Sequence, residues 1–300
     1  MKRENFKASD GKDVSLAIWD EVDDPKAVVQ IVHGMAEHAA RYDEFARELN
    51  AHGYIAAGDD HRAHGHTAAG RLGLAEEGKD LFRDTVRDEA EITEMLKTRY
   101  GLPVIVFGHS YGSFVTQAYL TEHADKILAC VLSGSARQPS SGVKLGKFLS
   151  NRKFKKHADE PGKIFAKLTF EGYDKKIGEG HNQWLSRNAE SNAAYTADPL
   201  CDYTCSNGFY KHFFAGLDRL NASDFTEVRK DLPLFVIYGK QDYVGGCGKL
   251  VEKLIRKYEK AGLTVRAKGY DGARHELTNE INRAEVFADV IAFFDDVTKG

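Results

Sequence analysis

Short apolar runs recur along the chain, most of them followed by a stretch whose apolar residues fall at helical spacing. The runs are Ala27–Val32, Gly53–Ala57, Pro103–Phe107, Ile127–Leu132, Leu234–Tyr238 and Leu263–Ala267. Runs of this length, rich in Val and Ile and without polar alternation, predict strands buried on both faces. Helical spacing follows over Arg41–His52, through Tyr42, Phe45, Ala46 and Leu49, and again over Gly248–Lys260 and Ile281–Val297. Phe82–Tyr100 predicts a strongly charged helix with Val86, Ala90, Ile92 and Leu96 on its apolar side. Phe6–Asp20, with Gly11-Lys12 at its middle, predicts two short strands joined by a turn. Alternating strands and helices mean an α/β fold: a mostly parallel sheet with helices on both faces.

The alternation breaks once, between about Ser135 and Asn221. That stretch has few β-branched runs, yet Phe, Tyr, Trp and Leu recur through it. It predicts an inserted, mostly helical subdomain rather than a linker. The expected organisation is a core of residues 1–134 and 222–300 carrying a helical cap of residues 135–221.

Composition narrows the function classes. The 300 residues are 42% hydrophobic and 29% charged, with a net charge of −3. This is ordinary soluble composition and gives no reason to expect a nucleic-acid partner. Residues Met1–Phe6 carry basic side chains but no apolar segment follows, so no secretory signal is expected, nor is any run long enough to span a bilayer. A cytoplasmic protein with reduced thiols is the expectation. Nothing in the sequence sets an oligomeric state.

Two patterns could suggest metal. Cys201 and Cys205 have the spacing of half a metal site, without a second pair to complete it, and Cys130 sits in an apolar run. The His61-x-x-His64-x-His66 cluster has no accompanying carboxylate motif. Neither metal nor organic cofactor is therefore expected.

Catalytic chemistry is suggested by Gly108-His109-Ser110-Tyr111-Gly112. The segment closes an apolar run and opens an amphipathic one, the context of a G-x-S-x-G nucleophile elbow. The serine must sit at φ > 0 in a strained turn, and glycine two residues to either side removes the clashes of a strand turning straight into a helix. The helix N-terminus then lies beside the place where an oxyanion would develop.

A serine hydroxyl needs a base, and the base needs an orienting group. Asp242 follows the Leu234–Tyr238 run and His275 follows the last strand, so both fall on loops at strand carboxyl ends, where sites of open α/β sheets lie. The order Ser110, Asp242, His275 is that of an α/β-hydrolase. Taken singly, Asp242 reads as well as a helix cap and His275 as a hydrogen-bonded surface residue. The candidate oxyanion donors are the backbone N–H of Tyr111 and, from the loop His33-Gly34-Met35, that of Met35, with Gly34 beside the substrate.

Four segments resemble motifs of the monoacylglycerol lipase/lysophospholipase group of serine α/β-hydrolases. They are His33-Gly34-Met35-Ala36-Glu37-His38, Asp60-His61-Arg62-Ala63-His64-Gly65, Gly108-His109-Ser110-Tyr111-Gly112-Ser113 and Arg274-His275-Glu276-Leu277-Thr278-Asn279-Glu280. The resemblance runs from about residue 10 to the C-terminus, with the inserted stretch in the place of that group's cap. It implies Ser110 as nucleophile, Asp242 as acid, His275 as base and Met35 and Tyr111 as oxyanion donors. The chain departs from the group at Ala63, where glycine is usual, and at Tyr111, where methionine is common. The resemblance implies a small-molecule or lipid ester substrate: a monoacylglycerol, a lysophospholipid or a simple carboxylic ester.

The inserted stretch is basic. Residues 143–176 hold ten Lys or Arg against four Asp or Glu, a local charge of +6, interleaved with Phe148, Leu149, Phe154, Ile164, Phe165, Leu168 and Phe170. Two readings stand: a solvated face of ordinary cap helices, or a face making transient contact with an anionic membrane surface. Phe209 and Phe213 are candidates for the wall of an acyl tunnel, and core packing explains them as well. A peptidase or amidase with the same triad would need a cap carboxylate for a substrate amine, with Glu179 and Glu190 available. A non-catalytic binder on a hydrolase scaffold would be expected to lack a triad member.

Overall fold

The apolar runs become strands of one eight-stranded sheet in the computed structural model, which describes residues 1–76, 78–168 and 170–299. Leu168, Phe170 and Glu171 of the basic segment have side chains outside the described residues. The strands are β1 (Lys2–Lys7), β2 (Asp13–Trp19), β3 (Ala27–Val32), β4 (Tyr54–Asp59), β5 (Val104–His109), β6 (Ala129–Ser133), β7 (Leu234–Gly239) and β8 (Val265–Tyr270). Their order in the sheet is β1-β2-β4-β3-β5-β6-β7-β8. β2 runs antiparallel to both neighbours, and every pair from β4 through β8 is parallel.

The central strands are buried on both faces, which is why their sequences read as continuous apolar runs. Val28, Val104, Val106, Cys130, Leu132, Leu234 and Val236 enter one core, against α2 (Leu81–Tyr100), α3 (Tyr111–His123) and α9 (Lys249–Lys260). The alternate residues Val29, Ile31, Ile105, Phe107, Val131, Phe235 and Ile237 enter the other, against α1 (Asp43–Ala51) and α10 (Arg283–Thr298). α2 has both its ends marked in sequence: the Asp80 side chain accepts from the Arg83 N–H, and Gly101 closes the helix at φ 65°.

The two sheet edges depart from expectation. β1 begins at Lys2 rather than Phe6, and β8 runs to Tyr270 rather than stopping at Ala267. Each has one neighbour only, and their charged residues face solvent, so neither carries a full apolar run.

Between β6 and β7 lie α4 (Ser140–His157), α5 (Lys163–Leu168), α6 (Phe170–Ile177), α7 (Ala189–Ala197) and α8 (Asn207–Ala222). α4 meets α8 closely at Gly146, where a Cβ would come within 2.4 Å of the Phe214 ring. α8 also packs on α2, with Gly216 over the Phe82 ring. These helices stand above the carboxyl ends of the strands. Cys130, Cys201 and Cys205 are buried free thiols and Cys247 an exposed one. Among the described residues no helix is long and apolar enough to cross a membrane.

Candidate active site

β5 ends at His109 and α3 begins at Tyr111, so Ser110 alone makes the turn, at φ 51° and ψ −118°. A non-glycine residue held there costs about 1–3 kcal/mol and needs surroundings that over-determine it. The flanking glycines supply them. A Cβ on Gly112 would stand 2.1 Å from the Val32 carbonyl oxygen, and one on Gly108 2.3 Å from Thr116 Oγ1. Tyr111 N–H is the first amide of α3 and has no carbonyl a turn behind it in the helix to accept its bond.

The loops after β7 and β8 bring Asp242 and His275 to this turn. His275 Nε2 lies 2.8 Å from Ser110 Oγ. His275 Nδ1 lies 3.1 Å from Asp242 Oδ2, an ion-pair distance whose angle is off-line for a hydrogen bond. The other carboxylate oxygen accepts from the Val244 N–H at 2.8 Å. Burial pulls the His275 pKa down, but the Asp242 carboxylate, with Glu276 and Glu37 behind it, outweighs burial and leaves it raised. The neighbouring His109 ring, 4.9 Å away, is held neutral: burial and His275 take its pKa down to about 3.

The His33–His38 loop is tied to the His275 loop by groups the sequence reading did not single out. Arg41 makes two hydrogen bonds of 2.7 Å to Glu276 and one of 2.5 Å to Glu37. Glu37 in turn accepts from the Gly34 N–H and the Tyr42 hydroxyl. Burial favours the neutral acid at Glu276, yet Arg41 outweighs it and holds the carboxyl at about 2. A Cβ on Gly34 would reach within 2.6 Å of Glu37 Oε1 and 3.3 Å of Ser110 Cβ, so glycine is required where the loop passes the nucleophile.

Two cavities meet at Ser110 and Met35. One of about 310 Å³ is lined by Tyr111, Phe114, Val143, Leu149, Phe213 and Leu217, and reaches the exposed Leu145 of α4. The other, of about 150 Å³, is of mixed character and more polar than the first: Asp174, Asn182, Asp202, His275 and Glu276 line it together with Trp184, Leu185 and Tyr195. Trp184 closes over the His275 ring at 5.0 Å.

Of the sequence candidates, Ser110, Asp242, His275, Met35, Tyr111, Gly34 and Phe213 are gathered here. Phe209 lines neither of these two cavities: it is fully buried, its ring against Tyr111 at 5.3 Å and His64 at 5.6 Å. The three histidines of the His61–His66 segment do not converge. His66 is exposed, while His61 and His64 are buried in separate hydrogen bonds. Glu179 is paired to Arg274 at 2.8 Å, and Glu190 is exposed and lines neither cavity.

Residues 23–282 match the Hydrolase_4 family, described as serine aminopeptidase S33. The chain belongs to that family. Within it the chain is similar to a monoacylglycerol lipase of Mycolicibacterium smegmatis, 29% identical over 96% of this chain and 95% of the relative. Among solved structures it is similar to a lipase in its open form, with a TM-score of 0.89 and 26% identity over 100% of this chain and 99% of the other. It is equally similar in fold to a thermostable carboxyl esterase from Bacillus coagulans, at TM-score 0.89 and 27% identity, covering 99% and 98% of the two chains. This Hydrolase_4 member is a serine ester hydrolase of monoacylglycerol lipase-like type with the α/β-hydrolase fold.

Proposed function

We propose that the enzyme cleaves esters of an extended acyl chain with a small polar alcohol, monoacylglycerols or lysophospholipid-type esters, through an acyl-enzyme. The observation that supports this reading is the position of Ser110 at the junction of a strongly apolar cavity and a smaller, more polar one. The apolar space suits the acyl chain and the more polar space the alcohol. Small carboxylic esters fit the same site with less buried surface. The relatives, a monoacylglycerol lipase and a carboxyl esterase, accord with both.

In this mechanism His275 takes the proton of Ser110 as Oγ attacks the ester carbonyl. The N–H groups of Met35 and Tyr111 receive the oxyanion, each worth about 3–4 kcal/mol in the transition state. Asp242 steadies the imidazolium, which then gives its proton to the departing alcohol. Water, deprotonated by His275, attacks the acyl-serine and the acid leaves. No cofactor takes part.

Residues 135–221 act as the cap that roofs both cavities. Leu145 and Phe148 of α4 and Ile164 of α5 are exposed among the cap lysines, which supports transient contact with an anionic lipid surface where the acyl cavity opens. Free thiols accord with a cytoplasmic location. A peptidase reading has less support, since Glu179 is engaged by Arg274.

The test is turnover of purified protein on short and long p-nitrophenyl esters, a monoacylglycerol, a lysophospholipid and an aminoacyl amide, with Ser110→Ala as control. Ser110-dependent cleavage of the long glycerol ester is expected. Cleavage of the amide alone, or full turnover by Ser110→Ala, would overturn the proposal.

A further inference from the structure

We propose that His38, Asp198 and Cys201 form a site for a divalent cation of the zinc class, which fastens the segment after α7 to the loop that carries Met35. The three residues belong to different parts of the fold. His38 ends the loop after β3, and Asp198 directly follows α7, 160 residues away in sequence. Cys201 is turned back toward Asp198 by its own N–H, which donates to the Asp198 carbonyl at 3.0 Å. Asp198 Oδ1 accepts from the Leu200 N–H at 2.8 Å, which leaves Oδ2 for His38 Nε2 at 2.9 Å.

An imidazole nitrogen, a carboxylate oxygen and the thiol sulfur here lie within 4.8 Å of one another. Around one zinc ion, bonds of about 2.0–2.3 Å place ligand atoms about 3.5 Å apart, so movements of about an ångström complete the set. The imidazole itself calls for another partner. The His38 side chain is 9% exposed, and its Nδ1 is buried with no hydrogen-bond partner. With its proton on Nε2 the neutral ring donates to Asp198 and leaves Nδ1 a bare acceptor, and with its proton on Nδ1 neither nitrogen has a partner; a buried group of that kind is uncommon without a ligand or water.

The donor set selects the ion. Imidazole and thiolate favour zinc and its borderline-soft neighbours over magnesium or calcium, which take oxygen ligands. Asp198 and a Cys201 thiolate would together balance a 2+ charge. The nearby Arg41 is already matched by Glu37 and Glu276. A thiolate and not a thiol ligates a metal ion, so the Cys201 proton must leave when the ion binds. Binding forms the sulfur–metal bond and releases that proton to solvent, and affinity must therefore rise with pH. Three protein ligands leave a fourth position for water.

The place of the site gives binding a consequence. The Asp202 N–H already donates to the Ala36 carbonyl at 3.2 Å, so the segment after α7 rests on the loop beside Met35. A cation held by His38 on one side and by Asp198 and Cys201 on the other would restrain any relative movement of the two.

The experiment is a Co²⁺ titration of the metal-free full chain in a Cys247→Ser background, which removes the exposed thiol. Cobalt reports thiolate ligation spectroscopically, independently of any ester turnover. Expected are a sulfur-to-cobalt charge-transfer band in the near ultraviolet saturating at one equivalent, release of one proton, and loss of the band on adding Zn²⁺. The band should disappear in Cys201→Ala and weaken at least tenfold in apparent affinity in His38→Gln, and Zn²⁺ should raise the Tm of the background protein but not of Cys201→Ala. Melting curves establish that each variant is folded, and Cys201→Ser replaces Cys201→Ala if the latter is not. Absence of a thiolate band at excess Co²⁺, or its persistence without the Cys201 thiol, would overturn the proposal.

Discussion

The imidazole of His33 lies on that of His61, with ring centroids 3.8 Å apart and planes inclined by 16°. The two residues exchange two hydrogen bonds: the His61 N–H donates to His33 Nε2, and His61 Nε2–H donates to the His33 carbonyl, each at 3.0 Å. His61 Nδ1 faces Asp59 and Glu89 at 2.9 and 3.2 Å, so both its nitrogens donate and the ring is an imidazolium. Burial lowers its pKa, but Asp59 and Glu89 outweigh burial and leave it well raised. His33, accepting at Nε2, must carry its proton on Nδ1, which donates to the Gly34 carbonyl at 2.7 Å. Burial and the His61 charge keep this ring neutral.

The Gly34 carbonyl belongs to the same peptide group as the Met35 N–H. The bond from His33 therefore orients and polarises the candidate oxyanion donor. His33→Leu is expected to lower kcat by about tenfold to a hundredfold with KM little changed, a fraction of the cost of losing a donor outright. His33→Asn, which keeps a short N–H donor, should recover part of the loss. Steady-state kinetics of the two folded variants checks this, and equal losses in both would count against the positioning role.

The raised His275 pKa predicts the acid limb of the pH profile. Deprotonated His275 is the working base, so kcat/KM should rise with pH and level off above a pKa higher than the ordinary 6.5. Asp242→Asn removes the main raising charge. The acid limb should move to lower pH, and kcat should fall by about 10⁴, as expected when the base loses its orienting carboxylate.

Arg41 is a second point of vulnerability. It is nearly fully buried between Glu37 and Glu276, and Arg41→Met would leave both carboxylates unpaired in the interior. Removing one partner of a buried pair costs about 3–5 kcal/mol. Chemical denaturation should show a loss of this size, and activity should fall with it because Glu37 holds the Gly34 N–H.

Acyl-chain preference should be set on α4. Val143 lines the apolar cavity from the buried side of that helix, and Val143→Phe takes up part of its space of about 310 Å³. Each methylene excluded from an apolar pocket is worth about 1–3 kcal/mol of discrimination. Long-chain p-nitrophenyl esters should lose tenfold or more in kcat/KM, while short-chain esters are little affected.

The sheet and the elbow were legible in the chain because their signals are local. A strand buried on both faces must be apolar throughout, and a serine between a strand and a helix needs glycines beside it whatever lies elsewhere. Strand carboxyl ends share one side of a parallel sheet, so Ser110, Asp242 and His275 could be named together before any distance was known. The edge strands were less legible, since β1 and β8 are half solvated and keep charged residues in register.

Only the tertiary structure decided what lies between distant segments. Phe209 and Phe213 share a face of α8 and look alike in sequence, yet one is sealed against Tyr111 and the other faces the cavity, because they meet the core at different depths. Arg41 reads as the start of a helix until Glu276, 235 residues later, is seen to meet it. Likewise Cys201 lies within 4.8 Å of ligand atoms of His38 and Asp198, a neighbourhood its spacing from Cys205 does not foretell, since a side-chain cluster is built by loops that the fold brings together and not by spacing along the chain.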